Sequence, residues 1–293
     1  MSVLRRSVLV GACTSVLAGC APTAPTPDKA EGVPGARRIS YGASPAQFGE
    51  LHLPAGHGSV PVVIVLHGGY WRAQFGLDLG TPLAVDLANH GVAAWNVEYR
   101  RLGSGSGGGG GWPATFDDVA AAVDAVAGPV QATADGRLTL SDVRAVGHSA
   151  GGQLAVWAAG RALLPAGAPG AAPTVRLSRV VSQAGVLDLV GACRQSLGGG
   201  ASEELLGGSA SAQPERYAQA SPLTLLPLRI PVTCVHGAAD ATVPISQSET
   251  YVAVATAAGD PATLVRLPGV DHFALIDTTT PAWAACRDAV LAR

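Results

Sequence analysis

From Val60 onward, short apolar runs rich in Val and Ile alternate with Ala-rich stretches whose apolar residues recur at helical spacing. That alternation is the strongest constraint on the fold, because strands separated by helices pair in parallel and bury both faces of their sheet. Strands are expected at Pro61–Leu66, Val92–Val97, Val143–Val146, Val180–Gln183, Val232–Val235 and Thr263–Leu267, after a weaker pair around Ile39 and Glu50–Leu53. Helices are expected at Leu77–Asn89, Thr115–Ala127, Ala150–Leu163, Ser246–Ala257 and Pro281–Ala292. The fold class is therefore α/β, a mostly parallel central sheet of about eight strands flanked by helices. Charged residues make up only 14% of the chain, as such a doubly covered sheet requires.

Two segments break the rhythm. Gly103–Gly111 contains only Gly and Ser and reads as a flexible loop. Residues 185–225 scatter Gly and Pro among short helical pieces such as Glu203–Leu206, as expected of a small cap inserted over a site.

Several chemistries are excluded. Lys29 is the only lysine and lies in a Pro/Ala-rich stretch, so neither a Schiff-base lysine nor a phosphate-loop lysine is available. The five cysteines contain no C-x-x-C pair and the seven histidines no H-E-x-x-H, so no metal site is expected. A net charge of −2 with no basic block leaves no footprint for nucleic acid. Small molecules are the expected partners, with no cofactor.

The nucleophile candidate is Ser149, in Gly147-His148-Ser149-Ala150-Gly151. This G-x-S-x-G follows one expected strand and opens one expected helix, the strand–turn–helix setting that a nucleophile elbow needs. His67-Gly68-Gly69-Tyr70-Trp71-Arg72 follows the strand Pro61–Leu66, where glycines let backbone N–H groups approach an oxyanion. Together the two segments resemble the esterase/lipase branch of the α/β-hydrolases, and Tyr70-Trp71 resembles the kynurenine-formamidase and small-esterase neighbourhood. Glu98-Tyr99-Arg100-Arg101 with Trp112-Pro113-Ala114 and Asp117-Asp118 is similar to hormone-sensitive-lipase-like esterases, although the glycine run replaces a shorter loop there. The resemblance spans about residues 40–290 and implies the α/β-hydrolase fold.

A serine hydroxyl needs an imidazole to take its proton, and the imidazole needs a carboxylate to hold its tautomer. Asp240 follows the strand Val232–Val235 and His272 follows Thr263–Leu267, giving the order Ser, Asp, His that this fold requires. Asp188, Asp260 and Asp271 are the rival carboxylates, and Asp271 is badly placed because it adjoins His272. His67 and His148 are expected to make structural hydrogen bonds. His52, His57, His90 and His236 read as surface or strand-end residues. The expected catalytic set is Ser149, Asp240 and His272, with the N–H groups of Gly69, Tyr70 and Ala150 as oxyanion hole. Tyr70, Trp71 and Trp112 are candidates for an apolar pocket wall, and Arg100 or Arg101 for pairing with Asp117 or Asp118. The activity expected is cleavage of a small carboxylic ester. An arylformamidase-like amidase acting on N-formyl aromatic amines and a non-catalytic binding module stay open.

The N-terminus carries Arg5 and Arg6, an apolar run from Val8 to Leu17, and then Leu17-Ala18-Gly19-Cys20. This is signal-peptide architecture ending in a sequence that resembles the bacterial lipobox. Residues 1–19 are read as the signal, 20–37 as a lipidated cysteine with a Pro/Ala-rich tether, and 38–293 as the catalytic domain. Cleavage before Cys20 takes 19 basic residues to 17 against 21 acidic ones, a net charge of −4. Export through the general or the twin-arginine route is open, as is free secretion. In the oxidising compartment a Cys193–Cys286 disulfide is an open pairing. The mature protein is expected at the membrane surface through lipid alone, each buried CH₂ contributing about 0.8 kcal/mol. Mass spectrometry of the mature N-terminus checks this: a lipid-modified Cys20, with release of the protein by Cys20→Ser, is expected. An unmodified chain beginning beyond Cys20 contradicts it.

Overall fold

The computed structural model describes residues 35–292, so Cys20, the leader and most of the tether lie outside the described residues. Eight strands form one sheet: β1 (Arg37–Ser40), β2 (Phe48–His52), β3 (Val60–Leu66), β4 (Ala93–Val97), β5 (Leu138–His148), β6 (Arg179–Gln183), β7 (Val232–Gly237) and β8 (Ala262–Leu267). Their order is β1-β2-β4-β3-β5-β6-β7-β8. Only the β1–β2 and β2–β4 pairings are antiparallel; the other five are parallel. This is the α/β-hydrolase arrangement. β1 begins at Arg37, so the last residue assigned to the tether belongs to the sheet.

Alternation along β3 shows why both faces need cover. Val62, Ile64 and Leu66 point into the larger core with Trp95, Phe116 and Trp157, while Val63 and Val65 point into a second core with Leu83, Leu87 and Trp283. The helices α2 (Ala114–Asp124), α4 (Ala150–Gly160) and α8 (Ser246–Ala257) supply the first face, and α1 (Thr81–Asn89) and α9 (Pro281–Leu291) the second. Three expected helices prove to be an α-helix joined to a short 3₁₀ turn. Residues 77–79 precede α1, 125–127 follow α2 and 161–163 follow α4. A short helix over Pro129–Thr133, α3, had no periodic signal.

The cap is more helical than its sequence suggests, with α5 (Leu189–Arg194), α6 (Leu197–Leu206) and α7 (Pro214–Ala220). Gly198, Gly199 and Gly200 within α6 are left-handed, with φ of 63°, 70° and 83°, so the regular helix begins only after them. The glycine loop is not open chain. Arg101 N–H donates to Gly107 O and Gly110 N–H to Arg101 O, each at 2.8 Å. Arg100 binds a fully buried Asp118 through its Nε at 2.8 Å, and Arg101 pairs with buried Glu98 instead of Asp117 or Asp118. The acid of each pair is buried, and Arg101 is buried with its partner.

Candidate active site

Ser149 sits where β5 ends and α4 begins, with φ 56° and ψ −117°, a conformation that non-glycine residues avoid and that costs about 1–3 kcal/mol. Its N–H donates to Gln183 O at 2.8 Å, so the neighbouring strand holds the turn. The flanking glycines are there for space. A Cβ on Gly147 would strike the Gly151 carbonyl, and one on Gly151 would strike the carbonyls of Leu66 and His67. The elbow and the β3 loop are therefore packed backbone to backbone.

That loop lies against the serine. A Cβ on Gly68 would fall 3.0 Å from Ser149 Cβ, and Gly69 has φ 110°, which only glycine adopts readily. Tyr70 and Trp71 continue the turn with φ of 50° and 55°. Among the described residues, the backbone N–H groups of Gly69, Tyr70 and Ala150 have no hydrogen-bond partner. Unpaired donors beside a nucleophile, one of them at a helix N-terminus, are suited to a developing oxyanion.

Asp240 and His272 meet. His272 Nδ1 donates to Asp240 Oδ2 at 2.6 Å, and the second oxygen of Asp240 accepts the N–H groups of Thr242 and Val243 at 2.8 Å each. His236, read from sequence as a surface or strand-end residue, is fully buried, with Nε2 3.3 Å from Asp240 Oδ2. Burial raises the Asp240 carboxyl, but hydrogen bonds from His236, His272 and Val243 outweigh it and hold the group well below its ordinary value. The rival acids are occupied elsewhere: Asp188 caps α5 through Gly191 N–H, Asp260 accepts from Leu228 and Arg229, and Asp271 from Phe273 and Ala274.

The His272 ring packs on His148, with ring centroids 4.4 Å apart, and His148 Nε2 donates to His272 O at 3.0 Å. Because His148 precedes Ser149, this contact ties the His272 loop to the elbow. No hydrogen bond joins Ser149 Oγ to His272 Nε2 in the structure, and among the described residues neither atom has another partner. Behind the β3 loop, His67 stacks on Tyr99 at 4.4 Å, its Nδ1 2.8 Å from Gly68 O and its Nε2 3.1 Å from Glu98 Oε1. The buried Glu98–Arg101 pair completes that cluster. Sequence reasoning missed Glu98, which joins His67 of the β3 loop to Arg101, and His236, which reaches Asp240 four residues on.

The pocket candidates divide. Trp71 is a core residue, 1% exposed, donating its indole N–H to Gln153 Oε1 at 3.0 Å, and so does not line a pocket. Trp112 packs on Phe116 and borders a hollow of about 380 Å³ with Pro165, Arg216 and Gln219, whose lining does not include Ser149. Tyr70 is half-buried: its hydroxyl donates to Thr242 O at 2.9 Å and its ring meets Gly198 of the cap. Cys193 and Cys286 are both free, so that pairing does not form. Among the described residues no cluster of three or more His, Cys, Asp or Glu could hold a metal ion, and no helix is long and apolar enough to cross a membrane.

A family model designated BD-FAE matches residues 50–254, more than half of the chain. The chain belongs to the BD-FAE family. Its match covers the elbow, the glycine loop and Asp240, and stops before His272. No curated protein matches the chain. Similar solved structures include a truncated carbohydrate esterase from gut microbiota, 21% identical with TM-score 0.70 over 86% of this chain and 93% of that one. Esterase 2 of Thermogutta terrifontis, phosphonylated by sarin, is 21% identical with TM-score 0.68, over 87% of this chain and 92% of that one. A bifunctional GH43-CE protein of Bacteroides eggerthii is 23% identical with TM-score 0.67 over 81% of this chain; the chain spans 35% of that protein's length.

Burial pushes the His67 and His148 rings down to about 3, assisted by the Arg101 charge at His67 and by His272 at His148. Such rings bind fewer protons folded than unfolded. Their stabilisation is full above their ordinary value of 6.5 and is lost as pH falls toward about 3. Below 6.5 each therefore contributes a slope approaching 1.4 kcal/mol per pH unit, destabilising in acid. Urea unfolding from about pH 6.5 to 5.5, above the range of ordinary carboxyls, is expected to show stability falling with at least one proton taken up. A flat profile contradicts the buried neutral rings.

Proposed function

We propose that the protein is a serine hydrolase that cleaves small carboxylic esters through an acyl-enzyme formed on Ser149. The observation that carries this reading is the 2.6 Å Asp240–His272 bond on a histidine packed against a strained serine elbow. Asp240 occupies Nδ1, so Nε2 is the nitrogen left to take the Ser149 proton. Ser149 Oγ attacks the ester carbonyl, and the N–H groups of Gly69, Tyr70 and Ala150 receive the oxyanion. Collapse of the intermediate returns the proton from His272 to the departing alcohol. Water, activated by the same ring, then releases the acid and restores the serine.

Neighbours named as a carbohydrate esterase and as an esterase support ester cleavage. So does family membership. Ser149 is only 2% exposed, which favours a small acyl group. The resemblance of Tyr70-Trp71 to the formamidase neighbourhood loses force as a substrate argument, since Trp71 faces the core. The lipid anchor on Cys20 is part of the same proposal and would hold the domain outside the cytoplasm, at a membrane surface.

Hydrolysis of p-nitrophenyl acetate beside an N-formyl aromatic amine tests the reading. The ester is expected to turn over faster, with Ser149→Ala lowering kcat by roughly 10⁴- to 10⁶-fold and Asp240→Asn by about 10⁴-fold. Unchanged turnover by Ser149→Ala, with its fold intact by circular dichroism, would sink the assignment.

A further inference from the structure

Phe273 is the one aromatic among the large exposed hydrophobic residues of the described chain, 63% exposed, and it stands directly beside His272. Its ring meets the His272 ring edge-on, with centroids 5.3 Å apart and planes at 87°, and lies 6.4 Å from the His148 ring. The position is built. Asp271 Oδ1 accepts the N–H groups of Phe273 at 3.0 Å and Ala274 at 2.9 Å, closing a turn that continues into the 3₁₀ segment Ala274–Ile276. Leu275 of that segment is fully buried, and its carbonyl accepts from Gln183 Nε2 at 2.6 Å. One residue of the turn is driven inward and the aromatic ring is presented outward. An exposed phenyl ring on a rigid support forgoes the burial that such a side chain normally gains.

We propose that Phe273 is the leaving-group platform of the Ser149 site, holding ring-bearing alcohols by their apolar face. The inference rests on the hydrolase reading and adds to it the class of alcohol. In that reaction the departing oxygen must come within about 3 Å of His272 Nε2 to receive its proton. A ring one carbon beyond that oxygen lies beside the imidazole, against which the Phe273 ring packs. A flat or chair-shaped ring buries apolar area against the phenyl face, and an aromatic one adds the offset or edge-to-face attraction of paired rings. A two-carbon alcohol reaches too little of that surface to gain from it.

The test compares benzyl acetate, cyclohexylmethyl acetate and ethyl acetate with the unmodified protein, Phe273→Ala and Phe273→Trp. The readout is the ratio of kcat/KM for each ring ester to that for ethyl acetate, so that any displacement of His272 caused by the substitution, which slows every ester alike, cancels. Phe273→Ala is expected to lower both ratios about tenfold, which is about 1.4 kcal/mol, chiefly through KM. Phe273→Trp is expected to restore them. Ratios unchanged by Phe273→Ala would overturn the platform while leaving the hydrolase reading standing. Failure of the unmodified protein to cleave any of the three esters would overturn the hydrolase reading, and the platform with it.

Discussion

The structure turns on a backbone contact: the elbow at Ser149 is pressed against the loop after β3 so closely that no side chain fits between them. Gly147, Gly151 and Gly68 each face a carbonyl or Ser149 itself where a Cβ would stand. This close approach lets the chain hold Ser149 at φ 56°, because the surrounding sheet over-determines the turn. The Ser149 N–H is secured to Gln183 on the next strand. Among the described residues the N–H groups of Gly69, Tyr70 and Ala150, on the two segments so pressed together, have no hydrogen-bond partner. Strain at Ser149 and unpaired donors beside it are thus two results of one packing constraint.

Polar side chains then hold the pieces that backbone packing cannot. The Arg72 side chain ties the β3 loop to the cap, donating to Gly198 O at 3.0 Å and pairing with Glu204, while backbone bonds on either side of it, Leu102 N–H to Trp71 O at 2.7 Å and Ala73 N–H to Leu102 O at 2.8 Å, join that loop to the next. Tyr70 reaches from that loop to Thr242 O, and the Thr242 N–H holds Asp240, so the proposed oxyanion donors and the acid share one chain of bonds. His148 bridges the elbow to the His272 loop. Three loops from distant parts of the chain are registered against one another through the Tyr70 hydroxyl, the buried His148 ring and the Asp240 carboxylate.

The alternating pattern made the sheet and its two covers readable, because period-two and helical apolar spacing report local geometry directly. The glycine motifs made the elbow and the β3 loop readable for the same reason. Asp240 could be ranked above Asp188, Asp260 and Asp271 by strand order, and the structure brings it to His272 while the others cap turns and backbone N–H groups. What escaped depends on which way a side chain faces once the loops are packed, which residue spacing does not report. Nothing local marks Trp71 as core instead of pocket, His236 as buried, or Glu98 as the partner of Arg101. Apart from the piece Glu203–Leu206, the helices of the cap escaped because glycines interrupt their pattern and they pack chiefly on one another.

The central claim is that Ser149 is an activated nucleophile, and covalent trapping tests it most directly. Intact-mass and peptide analysis after exposure to a fluorophosphonate should find one adduct, on Ser149, formed slowly or not at all when His272 is replaced by Ala. No adduct on the folded protein, or one on a different residue, would contradict the account.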